Sequence, residues 1–153
     1  MSETTPDVGS GTPSRRIVVG VDGSAPSIRA LQWAARQADW SGATLEVLTA
    51  WTFPEHPAPL GLESHVPWPD ELIGQARVKL DEVIGDALPN IDPQRVIARV
   101  IRGSAVRVLL DAARDAELLV VGSRGRGAMA ELLLGSVSEH CVRHAVCPVV
   151  VVP

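Results

Sequence analysis

Apolar positions along the chain fall into two spacings that alternate from Arg16 onward. Ile17-Val18-Val19-Gly20-Val21 is a β-branched run ended by Asp22-Gly23-Ser24, the pattern of a strand buried on both faces. Behind it, Ile28, Leu31, Ala34, Ala35 and Ala38 recur at helical spacing until Gly42, with Pro26 where a first turn tolerates it. The same reading predicts a strand over Thr44 to Ala50, a helix over Asp70 to Leu88, and a strand over Arg95 to Ile101. Gly103-Ser104 then leads to a third helix running through Asp115, and Glu117 to Val121 is a fourth strand. A short helix over Ser136 to Ala145 and a last strand over Pro148 to Val152 complete the series. This alternation predicts one α/β domain of three layers, with a parallel sheet covered by helices on both faces, because parallel strands need crossovers.

Two segments break the pattern. Residues 1–14 are rich in Ser, Thr, Gly, Pro and acidic residues and read as a disordered tail, which leaves 15–153 as the domain. Trp51 to Pro69 carries Pro54, Pro57, Pro59, Pro67 and Pro69, too many for a regular element, and predicts a long loop of the kind that often serves function.

Composition narrows the function classes. With 153 residues, 46% hydrophobic, the chain suits one domain with a real core. A net charge of −4 argues against a general grip on nucleic acid, and Trp33, Trp40, Trp51, Trp68 and Phe53 are too few to build a base-stacking platform. No apolar run approaches the roughly 20 residues of a membrane span. Two cysteines, Cys141 and Cys147, do not make a disulfide scaffold and suit a reducing cytoplasm.

In an open parallel sheet, ligands gather beyond the carboxyl ends of the strands, and two such segments carry chemistry. In Gly20-Val21-Asp22-Gly23-Ser24, Asp22 is able to accept hydrogen bonds from sugar hydroxyls; equally, Asp22-Gly23 suits a turn, and Asp22 or Ser24 a helix cap. Gly122-Ser123-Arg124-Gly125-Arg126-Gly127, followed by Gly135-Ser136-Val137-Ser138 at a helix start, outlines a phosphate cradle. Glycines admit close backbone approach, the helix start offers unpaired N–H groups, and Ser136 and Ser138 add hydroxyls. Ser136 and Glu139 also stand at capping-box spacing, which is compatible with a cradle.

Known cradles are tested by spacing. A Walker loop needs a lysine beside the glycines, and the chain's one lysine, Lys79, lies on another predicted helix. A dinucleotide fingerprint over Gly125 to Ala130 would need an acid on the next strand, and Val149 to Val152 has none. Two residues separate Gly122 from Gly125, and nine separate Gly125 from Gly135-Ser136. That spacing, with Gly20 to Ser24 near the start and Cys147-Pro148-Val149-Val150-Val151-Val152 at the end, resembles the ATP-binding branch of the universal stress protein family over Arg15 to Pro153.

The resemblance implies a strand order of 3-2-1-4-5, an adenine nucleotide across the ends of strands one and four, and a homodimer; the nucleotide is read as ATP with Mg²⁺. It places Asp22 on the ribose, the Ala50 backbone at the adenine, and Gly122, Gly125, Gly135 and Ser136, helped by Ser138, on the phosphates. Arg124 and Arg126 are not set by the spacing; their charge favours phosphate, or they are solvated loop residues. The 148–152 strand is apolar and would lie at a sheet edge, where unpaired backbone invites a second copy. His140, Cys141, His144 and Cys147 cluster in sequence but read as ordinary helix residues with Cys141 in the core, not as a metal site. Asp111 and Asp115 beside Arg107 and Arg114 read as a charged solvent face. No residue is diagnostic of catalysis, so the reading is an ATP-binding regulatory module in stress response, with a slow ATPase or self-phosphorylating enzyme, or an interaction scaffold, as alternatives.

Overall fold

The computed structural model describes residues 15–52, 68–125 and 134–153. Five strands, β1 (Arg16–Gly20), β2 (Thr44–Trp51), β3 (Val96–Arg102), β4 (Leu118–Gly122) and β5 (Val149–Val152), form one sheet in the order β3-β2-β1-β4-β5. Every pairing is parallel; Ile17 lies beside Leu45 on one side and Leu118 on the other. Four helices connect them: α1 (Ala25–Ser41), α2 (Pro69–Ala87), α3 (Ala105–Ala113) and α4 (Ser136–His144). The expected α/β architecture and strand order are therefore the observed ones.

Central strands are apolar on both faces because both are covered. Ile17 and Val19 face Ala30, Leu31 and Ala34 of α1 and Leu80 of α2, while Val18 faces Val108 and Leu109 of α3 and Cys141 of α4. Among the buried strand residues described, one breaks the apolar rule. Glu46, 1% exposed on β2, is held by Arg16 at 2.6 Å and Arg99 at 2.9 Å, and Arg16 also donates to the Ala112 carbonyl at the end of α3 at 2.9 Å.

Most boundaries move by one residue, for reasons visible in the bonding. Arg95 belongs to a 3₁₀ turn (Pro93–Arg95) started by Asp92, whose side chain accepts from Gln94 N, so β3 begins at Val96. Helix α3 ends at Ala113 rather than Asp115, its last bonds tightening to Arg114 N→Asp111 O and Ala116 N→Ala113 O. Trp51, expected in the loop, still pairs with Arg102. The expected stop at Gly42 is a left-handed C-cap with φ 73°. The expected tail 1–14 and most of the proline-rich loop lie outside the described residues. No described helix is long and apolar enough to cross a membrane.

Candidate functional site

The carboxyl ends of β1, β2 and β4 and the starts of α3 and α4 enclose a cavity of about 290 Å³. Gly20, Asp22, Ala50, Gly122, Arg124, Gly125, Gly135, Ser136, Val137 and Ser138, all singled out by sequence, line this one space. Ser123 does not line it, and Arg126 and Gly127 lie outside the described residues. One side is apolar, built by Leu48, Ala50, Ala105, Val108 and Leu109; the other carries Asp22, Ser27, Arg124 and the start of α4.

Asp22 stands exposed at the mouth, and its Oδ1 accepts from both the backbone N–H of Ser24, at 2.9 Å, and the Ser24 hydroxyl. Ser24 is in turn the N-cap of α1 and accepts from Ser27 N, so the turn and cap readings both hold and place the carboxylate. Ser27, 4% exposed, donates its hydroxyl to Ser24 O at 2.8 Å.

The α4 start departs from the capping box that the Ser136/Glu139 spacing suggested. Gly135 is the N-cap and has no side chain to offer; Ser136 is already the first helical residue. Helices α1 and α3, by contrast, are capped by Ser24 and Ser104. The N–H groups of Ser136, Val137 and Ser138 therefore have no partner inside the helix, and these three residues line the cavity at the positive end of the helix dipole. The Ser138 hydroxyl points to the carbonyls of Ser123, at 3.0 Å, and Gly135, at 2.9 Å, and so fastens the loop. Ser123 is the hub of that fastening: its N–H donates to Val152 O at 2.7 Å and its carbonyl accepts from Gly135 N at 2.7 Å.

The glycines are required by protein neighbours. A Cβ on Gly122 would lie 2.8 Å from Pro26 C and 2.9 Å from Ser27 N, so this glycine lets the first turn of α1 press against β4. Neither Gly122 nor Gly125 has a positive φ; among the described glycines that holds for Gly23, Gly42 and Gly103.

Elsewhere, the His and Cys residues near the C-terminus behave as helix and core residues. His140 Nδ1 lies 2.7 Å from Ser136 O, Cys141 is fully buried, and among the described residues no group of three His, Cys, Asp or Glu is placed to hold a metal. Burial, with the neighbouring Cys147 adding to it, pushes the Cys141 thiol up to about 11; burial also raises Cys147. Asp111 and Arg114 pair at 3.7 Å on the solvent face, as expected.

Sequence reasoning missed Val21, Ser27, Leu48, Val121 and the α3 wall of Ala105, Val108 and Leu109. Ala105 follows a strand and a Gly-Ser turn, the same signal used for the other two loops, and was within reach. Val108 and Leu109 lie on the inward stripe of α3, which reads like any core stripe.

Comparison with known proteins agrees with this architecture. Residues 13–153 match the model described as the universal stress protein family. A universal stress protein of Mycolicibacterium smegmatis is 36% identical over 138 residues, covering 89% of this chain and 47% of that protein. One from Mycobacterium tuberculosis is 35% identical over 150 residues, covering 94% and 49%. The chain thus spans about half the length of these curated relatives. Among solved structures, a universal stress protein in complex with cAMP superposes with a TM-score of 0.66 at 29% identity, over 92% of this chain and 98% of that one. An Archaeoglobus fulgidus protein in complex with dAMP shares the fold, with a TM-score of 0.67 at 19% identity over 92% and 99%. The chain belongs to the universal stress protein family.

Proposed function

We propose that this protein binds ATP, with Mg²⁺, in the cavity between β1 and β4 and acts as a nucleotide-dependent regulatory module in stress response. The observation that carries the reading is the uncapped start of α4: Ser136, Val137 and Ser138, whose N–H groups have no partner inside the helix, line a cavity that also holds the Asp22 carboxylate and has an apolar wall. Amides at a helix start suit phosphate, a fixed carboxylate suits ribose hydroxyls, and an aliphatic wall suits a purine. The cAMP complex of a 29% identical relative supports adenine nucleotide as the ligand class.

Asp22 takes the ribose, the Ala50 backbone meets the adenine, and Gly122, Gly125, Gly135 and Ser136 frame the phosphates, with Arg124, Arg126 and Gly127 at the loop that follows β4. Assembly is a homodimer through β5, whose four valines are all partly exposed at the sheet edge. Two free thiols, one fully buried, suit the cytoplasm. Isothermal titration with ATP, AMP and NAD, with and without Mg²⁺, tests the reading: ATP binds most tightly and Mg²⁺ tightens it. Preference for NAD, or phosphate release at several turnovers per second, would overturn it.

A further inference from the structure

Asp22 and Gly125 sit on different loops, and the glycine leaves the carboxylate its place. A Cβ on Gly125 would lie 2.6 Å from Asp22 Oδ2, well inside the about 3.5 Å at which contacts between uncompressed heavy atoms begin. The other oxygen, Oδ1, is taken by the N–H and hydroxyl of Ser24. Ser24 cannot drift, because its carbonyl accepts from Ile28 N at 3.0 Å and from the buried Ser27 hydroxyl at 2.8 Å. A chain of hydrogen bonds therefore runs from the buried first turn of α1 to one carboxylate oxygen, and the second oxygen is aimed at the β4 loop.

We propose that Ser24 and Gly125 are positioning residues for Asp22. Ser24 holds one oxygen, Gly125 makes room for the other, and the carboxylate becomes a fixed acceptor for a ligand hydroxyl at the seam between two loops. The inference deepens the nucleotide reading and rests on it, and it gives Gly125 a part distinct from phosphate approach. A methyl at 125 acts by displacing Asp22, so its effect on stability exists only while Asp22 is present, and its effect on binding only while Asp22 and a sugar hydroxyl are both present.

Two measurements on the full chain decide it. In the ligand-free protein, Gly125→Ala lowers the thermal midpoint of the unaltered chain by several degrees but leaves that of Asp22→Ala unchanged; equal lowering in both backgrounds overturns the proposal. With nucleotide, Gly125→Ala weakens ATP about tenfold and 2′,3′-dideoxy-ATP less than twofold; an equal loss for both ligands would return Gly125 to the phosphates and overturn it. Ser24→Gly, which keeps a good cap, weakens ATP several-fold with little change in midpoint, and an unchanged affinity overturns the part given to Ser24. Failure of the unaltered protein to bind either nucleotide refutes the nucleotide reading, while the ligand-free comparison still decides whether Gly125 seats Asp22.

Discussion

Among the described residues Glu46 is the one carboxylate within the core, and its two arginine partners are not equivalent. Arg16 is 24% exposed at its side chain and divides its guanidinium between Glu46 and the Ala112 carbonyl, whereas Arg99 is 52% exposed and, among the described residues, bonds Glu46. Removing Arg16 leaves a carboxylate 1% exposed with one half-solvated donor, and also strips a donor from the α3 terminus. Loss of one partner from a buried pair costs about 3–5 kcal/mol, and the water reached through Arg99 places this case near 3 kcal/mol. Arg99→Met, closer to a surface pair, costs under about 1 kcal/mol. At roughly 2–4 °C per kcal/mol for a chain of this size, calorimetry should find Arg16→Met melting about 6–12 °C lower and Arg99→Met no more than about 4 °C lower. Adding Glu46→Leu to Arg16→Met removes the stranded charge and should recover part of the loss. Equal effects of the two arginines, or a double variant less stable than Arg16→Met alone, would refute the reasoning.

Gly122→Ala should cost about 2–3 kcal/mol of ligand-free stability, since the clash is with helix backbone that cannot swing aside. Gly85→Ala, in open space on α2, should instead gain about 0.5–1 kcal/mol by chemical denaturation; an unaffected Gly122→Ala would mean that α1 yields freely. With Cys141 raised to about 11 by burial, its reactive thiolate is scarce in the folded chain at pH 8, and alkylation followed by mass spectrometry should label Cys147 first. Labelling of Cys141 at the rate of an unfolded control would show that α4 opens readily.

Strand and helix periodicity was legible because every element buries an apolar face, and the parallel sheet followed from the connections it requires. The ends of elements were less legible, since they depend on single bonds such as Asp92 to Gln94, which no periodicity reports. Ten of the thirteen named site residues line one cavity, because loops after parallel strands must converge. What remained hidden was division of labour. Gly122 reads the same in sequence whether it faces a phosphate or the α1 backbone, and Ser138 the same whether it faces a ligand or Ser123 O. Glu46, in an apolar run, gave no sign of the two arginines that meet it from β1 and β3.

The sheet's two outer edges are chemically unlike. β5 is Val-Val-Val-Val, while β3 reads Val-Ile-Ala-Arg-Val-Ile-Arg, and its Arg99 and Arg102 are both spoken for, one by Glu46 and the other stacked 5.8 Å from the Trp51 ring centre. Sheet growth into a fibre needs an outer strand that accepts the opposite strand of the next molecule, again and again. Here any joining of β5 to β5 uses up both matching edges at once and turns the two arginine-bearing strands outward. Such an association would close on itself, so a dimer joined through β5 would also be the end of growth by that edge.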